Sequence, residues 1–265
     1  MSKLTDYDKA KESLFIRVCN SKENEDFLKK VPHVEIEDMA VTYHIKMSVD
    51  ERGIASTPVS NQMMKMYGIT HEQLMEDALE SSPKVNPPEI INMDELLAGM
   101  YREQFEMMGY SEEQITEMLE EMPRAEIPMI VVTNTDRTNG AAVMFYPDVM
   151  EQIGEKLNGN FFVLPSSIHE TIVVPDDGNM EYKELLAMVT EINATQVDKR
   201  DKLTDQVYHY DVTDKVFEKA SRYEERKAEK SHDKKSVLEK LGEKKEEAKA
   251  FVGEKKAPRR EAYSL

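Results

Sequence analysis

The sequence predicts an α+β protein in which amphipathic helices pack on a mainly antiparallel or mixed sheet. Apolar and polar residues alternate strictly over residues 39–47, which is typical of a half-buried strand. Apolar residues recur at spacings of three and four over residues 93–108, which predicts a helix. We expect a globular domain over residues 1–220. The Glu-, Lys- and Arg-rich residues 221–265 predict a charged tail that is helical or partly disordered.

The first elements are predicted from turn and capping residues. A turn at residues 50–53 leads into a second apolar run at 54–59, so the two strands are expected to form a hairpin. Ser60 and Thr70 are placed to cap two short helices, and Gly68 is placed to end the first of them.

A methionine-rich helical insert is predicted at about residues 90–123. Asn92 with Glu95 opens one helix, and Ser111 with Gln114 opens the next. A methionine-rich face can serve as an adaptable binding surface. At helical spacing, however, we expect these methionines to form plain core.

The second half of the globular part alternates short apolar runs with helices. The run at 141–146 follows a turn at Asn139 and Gly140, and its continuous apolar character predicts a central strand buried on both faces. Strands are also predicted at residues 129–133, 161–164 and 208–212, and helices at 147–157 and 182–192.

Charge and cysteine content predict where the protein works. The net charge is −17, and the last 44 residues hold 14 Lys and Arg against 10 Asp and Glu, so the remainder carries −21. Such a body repels nucleic acid and anionic membranes. With one cysteine, Cys19, and no long apolar segment, we expect a cytoplasmic protein that does not cross a membrane.

The segment FFVLPSSIHETIVVPDDG gathers the most chemically suggestive residues, which are Ser166, Ser167, His169 and Glu170. A zinc-protease helix needs a second histidine four residues after the first, and Val173 stands there instead. If residues 168–174 form a strand, His169 and Glu170 point to opposite faces. We therefore predict no metal site.

The same segment is not a clear nucleophile site. Ser166 and Ser167 lie in neither a GxSxG nor an SxxK motif, so both are expected to form a turn. A hydrolase-type enzyme remains the alternative, favoured if a pocket converges on these side chains with Asn134 or Asn193 beside them. No glycine-rich phosphate loop occurs, and no cofactor is expected.

Nucleic-acid binding is expected only through the tail. The helix pair around Gly68 is acidic, which is the wrong sign for contact with a phosphate backbone. Candidate contacts are instead Lys255, Lys256, Arg259 and Arg260, whose binding would weaken with salt.

Several ordered blocks resemble an uncharacterised domain family found in anaerobic gram-positive gut bacteria and often carried on mobile elements. The blocks are LPSSIHETIVVP, DFLKKVPHVEIEDMAVTYHIKM, VVTNTDRTNGAAVMFYPDVMEQIGEKL, ELLAMVTEINATQV and LTDQVYHYD. They cover most of residues 26–211, leaving out the methionine-rich insert and the tail. The resemblance implies no activity.

Missing catalytic motifs, the acidic body and the tail together favour a non-enzymatic interaction or regulatory protein. Its expected partner is another protein, and the resemblance suggests an accessory of a mobile element. The hydrolase and the nucleic-acid-binding protein stay open as the alternatives.

Overall fold

The structure, a computed structural model, describes residues 3–50, 53–123 and 127–230. Contacts divide the chain into two units, Met1–Ala220 and Ser221–Leu265. Of the second unit only residues 221–230 are described, and they are helical. The four basic residues proposed for nucleic-acid contact lie outside the described residues. The predicted α+β class is confirmed, because helices alternate with two antiparallel sheets.

The first sheet contains the predicted hairpin. Its strands are β1 (Leu14–Asn20), β2 (His33–Ile36), β3 (Met39–Asp50) and β4 (Gly53–Pro58). The order is β1-β3-β2, and β4 pairs antiparallel with β3. Two short helices, α1 (Tyr7–Lys11) and α2 (Glu25–Leu28), flank β1. Strand β3 differs from the half-buried strand expected, because Thr42 and His44 on its second face are also buried.

The second sheet has six antiparallel strands. They are β5 (Pro88–Asn92), β6 (Ile130–Asn134), β7 (Phe161–Leu164), β8 (Thr171–Pro175), β9 (Tyr208–Asp211) and β10 (Val216–Lys219). Their order is β10-β9-β7-β8-β6-β5. The strands predicted at 129–133, 161–164 and 208–212 are thereby confirmed.

The larger helices are close to those predicted. They are α3 (Asn61–Tyr67), α4 (His71–Val85), α5 (Met93–Met107), α6 (Glu112–Glu120), α7 (Val149–Leu157) and α8 (Tyr182–Thr195). Ser60 and Thr70 accept hydrogen bonds from backbone amides in the first turns of α3 and α4, and Gly68 ends α3 at φ 70°. Ser111 and Gln114 form a full capping box. Asn92 instead donates to the Glu95 carboxylate over 3.1 Å.

One apolar core joins the two sheets. It combines Ile16, Val41 and Tyr43 of the first sheet with Phe161 and Val173 of the second. The opposite face of the second sheet packs on α8 through a separate cluster. The second sheet is therefore covered on both faces, as its continuous apolar runs require.

The predicted central strand at 141–146 is wrong. Gly140–Phe145 form a 3₁₀ helix, and residues Gly140 to Met144 are buried between the sheets. A short continuous apolar run indicates burial but does not distinguish a strand from a buried helix. Asn139 does adopt the left-handed conformation of a turn, at φ 55°. The chain then enters the 3₁₀ helix, so no hairpin forms at this turn.

Asp38 ties the two sheets together with polar contacts. Thr204 donates to its carboxylate over 2.7 Å, Tyr208 of β9 donates to it as well, and Lys219 of β10 lies 3.3 Å away. Although burial opposes ionisation, these donors and the lysine charge lower the pKa of Asp38. A charged carboxylate is thus stabilised where the β2–β3 turn meets the second sheet.

No helix within residues 3–50, 53–123 and 127–230 combines the length and apolar composition needed to span a membrane.

Gly140 occupies a place where no side chain fits. A Cβ there would lie 2.5 Å from the His169 carbonyl oxygen and 2.7 Å from the Asn134 amide nitrogen. Both neighbours are backbone atoms, so neither can rotate away.

We predict that Gly140→Ala lowers the free energy of unfolding by about 1–3 kcal/mol, because overpacking here must displace backbone. Gly99→Ala is the matched control, since a Cβ at Gly99 meets nothing within 4 Å in α5. The control should gain about 0.5–1 kcal/mol of stability. Urea unfolding measures both, and equal stability of the two variants would contradict the close approach.

His44 makes the fold sensitive to acid. Burial, with a smaller contribution from the charge of Arg17, lowers the pKa of His44 from 6.5 to about 3. As the pH falls below 6.5, the unfolded chain takes up a proton at this position and the folded chain does not. The stabilisation is therefore complete above pH 6.5 and decreases toward pH 3.

We predict that His44→Gln flattens the decline of stability between pH 6.5 and 3. One proton taken up only on unfolding contributes a slope of at most about 1.4 kcal/mol per pH unit. Urea unfolding of both proteins over this range measures the difference. Parallel pH profiles would show that His44 is not the group responsible.

Candidate functional site

The Ser166–Glu170 segment connects β7 to β8 and pairs with a second loop. The Ile168 amide donates to the Asp201 carbonyl over 2.8 Å, and the Leu203 amide donates to the Ser166 carbonyl over 2.9 Å. Ser167 forms an isolated antiparallel bridge with Lys202. The segment thus forms a short antiparallel pairing with residues 201–203, beyond the end of β7.

The predicted strand at 168–174 begins later than expected. Strand β8 starts at Thr171, and residues 168 and 169 form a bend before it. The Ile168 carbonyl accepts from the Ala141 amide, and the His169 carbonyl accepts from the Thr133 hydroxyl over 2.8 Å. Because these carbonyls are engaged by other elements, His169 and Glu170 do not alternate across a strand.

The hydrogen bonds of His169 define its tautomer. The Asn139 backbone amide donates to Nδ1 over 3.3 Å, so Nδ1 must carry a lone pair. In the neutral ring the proton is then on Nε2, which lies 3.4 Å from the Asp201 carboxylate. Nδ1 is therefore engaged by the residue before the 3₁₀ helix, and Nε2 faces the neighbouring loop.

The two serines have backbone partners. The buried Ser167 hydroxyl accepts from the His169 backbone amide over 3.0 Å, which forms a local Ser turn. Ser166 contributes its carbonyl to Leu203. The two nitrogens of the histidine ring lie against Asn139 and Asp201 and not against a serine hydroxyl. The serines and the ring are therefore not arranged as a nucleophile with its base.

Glu170 is half-buried beside Asp201. Burial raises the pKa of the Glu170 carboxyl; the nearby His169 opposes this shift, and the Asp201 charge adds to it. A raised carboxyl pKa can mark a functional group, but it also follows from burial alone.

Asn134 and Asn193 serve other parts of the fold. Asn134 closes a turn through both its amide atoms, which bond to the Thr138 backbone at 2.9 and 3.2 Å. Asn193 donates to the Thr204 carbonyl and to Asp205, each over 2.8 Å. Each amide thus has a structural partner of its own. The described parts of the chain contain no group of three or more His, Cys, Asp or Glu positioned to hold a metal ion.

The α5–α6 hairpin is the second candidate site, and here the prediction of plain core is wrong. The exposed fractions of Met100, Met107 and Met108 are 57%, 83% and 62%. Helix α5 buries none of its residues, and Ile115 is the one buried residue of α6. Amphipathic spacing does not reveal whether the apolar face meets the core or the solvent.

The hairpin keeps its shape through contacts of its own. Phe105 stacks on Tyr101 at 6.2 Å between ring centroids and meets Tyr110 edge-on at 5.8 Å. Arg102 of α5 pairs with Glu112 of α6 at 2.7 Å. The exposed apolar side chains are therefore held on an ordered scaffold.

The exposed apolar face lies in an acidic setting. Residues 93–121 contain nine Asp and Glu and one Arg, a net charge of −8. Leu97, Leu119 and Met122 line a groove of about 500 Å³, with Asp94 and Glu95 among its polar lining. The sequence itself indicates that this surface is exposed, since acidic residues are this dense only where water surrounds them.

These features define an antiparallel α+β domain that presents a methionine-rich acidic hairpin. Residues 1–212 match the family described as "Family of unknown function (DUF5688)", and the chain belongs to that family. This match confirms the expectation that the chain belongs to an uncharacterised domain family. The match also covers the methionine-rich insert.

A further similarity is to the "Probable M18 family aminopeptidase 1" of Thermotoga maritima. The two are 27% identical over 166 residues, which is 56% of this chain and 36% of the relative. The chain thus spans about a third of the length of this curated relative. No solved structure matches the chain.

We predict that His169→Ala lowers the free energy of unfolding by about 1–3 kcal/mol, because the Asn139 amide loses its acceptor inside the fold. Glu170→Ala, at a half-buried carboxyl, should cost stability in the same range. Thermal and urea unfolding measure these changes.

Ser166→Ala is the control for both variants, since its backbone carbonyl keeps the bond to Leu203, and its stability should change by less than about 0.5 kcal/mol. The structural interpretation would be overturned by a His169→Ala or Glu170→Ala protein that unfolds like the parent yet loses a measurable activity or ligand.

Proposed function

We propose that this protein is a non-enzymatic interaction protein that binds a protein partner through its α5–α6 hairpin. The observation that carries the proposal is the exposure of Met100, Met107 and Met108 on an ordered helix. At about 100° per residue, these three and the exposed Leu97 and Tyr101 fall within about 120° of the helix circumference. They form one apolar stripe, which the exposed Gln104 interrupts between Tyr101 and Met107.

Methionine suits such a stripe for a physical reason. Its unbranched thioether side chain adapts to different apolar partners, and methionine-rich surfaces are used where binding must tolerate variation. A contiguous apolar patch on a protein surface is itself a mark of an interaction site. Placing the stripe on α5, which is anchored by α6 and β5, leaves it open to a partner.

The charge of the hairpin narrows the kind of partner. With a net charge of −8 around the stripe, a basic segment is attracted and an acidic one is repelled. A basic amphipathic helix can place its apolar side chains on the stripe and in the groove at Leu97 and Leu119, with its lysines and arginines against the surrounding carboxylates. We propose this class of partner.

A hydrolase is the alternative, and the similarity to the aminopeptidase is what supports it. That similarity covers about a third of the relative, and Nδ1 of His169 already accepts from the Asn139 amide. The contacts of the Ser166–Glu170 segment therefore give the hydrolase less support than the hairpin gives the interaction protein.

We predict that the protein binds a synthetic amphipathic helix of Leu and Lys and does not bind the same pattern written with Leu and Glu. Calorimetry should show affinity that falls as salt is raised, because the attraction between the charges is screened. The double variant Met100→Gln/Met107→Gln removes apolar surface without adding charge, and it should bind at least about tenfold more weakly, a loss of about 1.4 kcal/mol.

Met66→Gln is the matched control, since Met66 is an exposed methionine (54%) on α3, outside the hairpin. It should bind the Leu and Lys helix like the parent. Equal loss in both variants would show that any exposed methionine contributes, and unchanged binding in the hairpin variant would refute the hairpin as the site.

A further inference from the structure

A cavity of about 290 Å³ lies inside Met1–Ala220, away from the hairpin and from the Ser166–Glu170 segment. Ile16 and Val41 of the first sheet form one wall, and the 3₁₀ helix and the start of α7 form another. The cavity opens to solvent, and its volume is near the lower size limit of small-molecule sites.

Four aromatic side chains line the cavity. They are Tyr43 of β3, Phe145 of the 3₁₀ helix, Tyr146 directly after it and Tyr210 of β9. The Tyr43 hydroxyl lies 3.0 Å from Nε2 of His71, and the Tyr146 hydroxyl donates to the Asn86 carbonyl. Because both hydroxyls are held by protein groups outside the lining, these two residues offer the cavity mainly their rings.

Among the described residues that line the cavity, Glu151 is the one ionisable acid or base apart from the tyrosines. Hydrogen bonds from its own backbone amide, from Lys215 and from the Tyr210 hydroxyl lower the pKa of Glu151, although partial burial opposes this. Its side chain is 39% exposed, so it stands where the cavity opens to solvent. The cavity therefore combines aromatic rings with one carboxylate at its mouth, which Lys215 and the Tyr210 hydroxyl already contact.

We infer that this cavity binds a small molecule with an alkylated ammonium head on a short apolar body. Aromatic rings attract such cations through their negative faces, and a ring cluster of this kind is a recurring way to recognise quaternary ammonium groups. Glu151 supplies the opposite charge. Met75, Met144 and Met150, which also line the cavity, supply polarisable contacts for the methyl groups and the apolar body.

The Lys215 side chain determines the direction in which substitutions should change the affinity for a cation. Its ammonium lies 3.3 Å from the Glu151 carboxylate and is 67% exposed, so it forms a weak surface pair. A ligand cation would compete with Lys215 for the same carboxylate. Removing Lys215 should then strengthen cation binding, whereas removing the Glu151 charge should weaken it.

The experiment compares choline with dimethylbutanol, its neutral isostere in which carbon replaces the charged nitrogen. The full-length protein carries ¹³C-methyl methionine, and the methyl signals of Met75, Met144 and Met150 report binding. Choline should shift these three signals and leave those of Met66 and Met100, which do not line the cavity, in place. Dimethylbutanol should bind more weakly.

Three variants make the result decisive. Glu151→Gln, at a partly exposed side chain, should bind choline about tenfold more weakly and dimethylbutanol as before. Lys215→Met should bind choline more tightly, and Met100→Gln/Met107→Gln should bind it like the parent. Equal affinity for choline and dimethylbutanol, or choline binding unchanged in Glu151→Gln, would overturn the inference. Because the cavity and the hairpin share no residue, either proposal can fail alone.

Discussion

The close approach of backbone around Gly140 is the constraint on which the core depends. The end of β6, the start of the 3₁₀ helix and the bend at His169 meet there at distances that exclude a Cβ. The Ala141 amide bonds to the Ile168 carbonyl across this contact. This arrangement directs residues Gly140 to Met144 between the two sheets, so the shared core and one wall of the cavity follow from it.

Much of the fold could be predicted because local patterns determined it. Alternation found β3, helical spacing found α5 to α8, and capping residues such as Ser60 and Ser111 fixed where helices begin. The failures at 141–146 and at Ile168 share one cause. In both places the backbone bonds to distant segments, and no local pattern records that a carbonyl is accepting from a residue tens of positions away.

The candidate sites were predicted less well for a related reason. The sequence identified Ser166, Ser167, His169 and Glu170 as neighbours, and they are neighbours in the structure. It could not show that the histidine ring lies against Asn139 and Asp201. The sequence also gave the helical spacing of the methionines, but it could not show which face of the helix is exposed to solvent. The cavity was missed altogether, since its aromatic rings come from β3, the 3₁₀ helix and β9.

The Ser166–Glu170 segment and the hairpin differ in which groups the fold leaves unused. In the segment, the Ser167 hydroxyl accepts from the His169 amide and Nδ1 of His169 accepts from the Asn139 amide, so these two side chains serve the local fold. In the hairpin, the acidic side chains are solvated and the apolar ones remain exposed. Exposed apolar surface carries a free-energy cost that contact with a partner removes. The hairpin is therefore the surface on which we place the proposed partner, whereas the Ser166–Glu170 segment contacts other elements of its own domain.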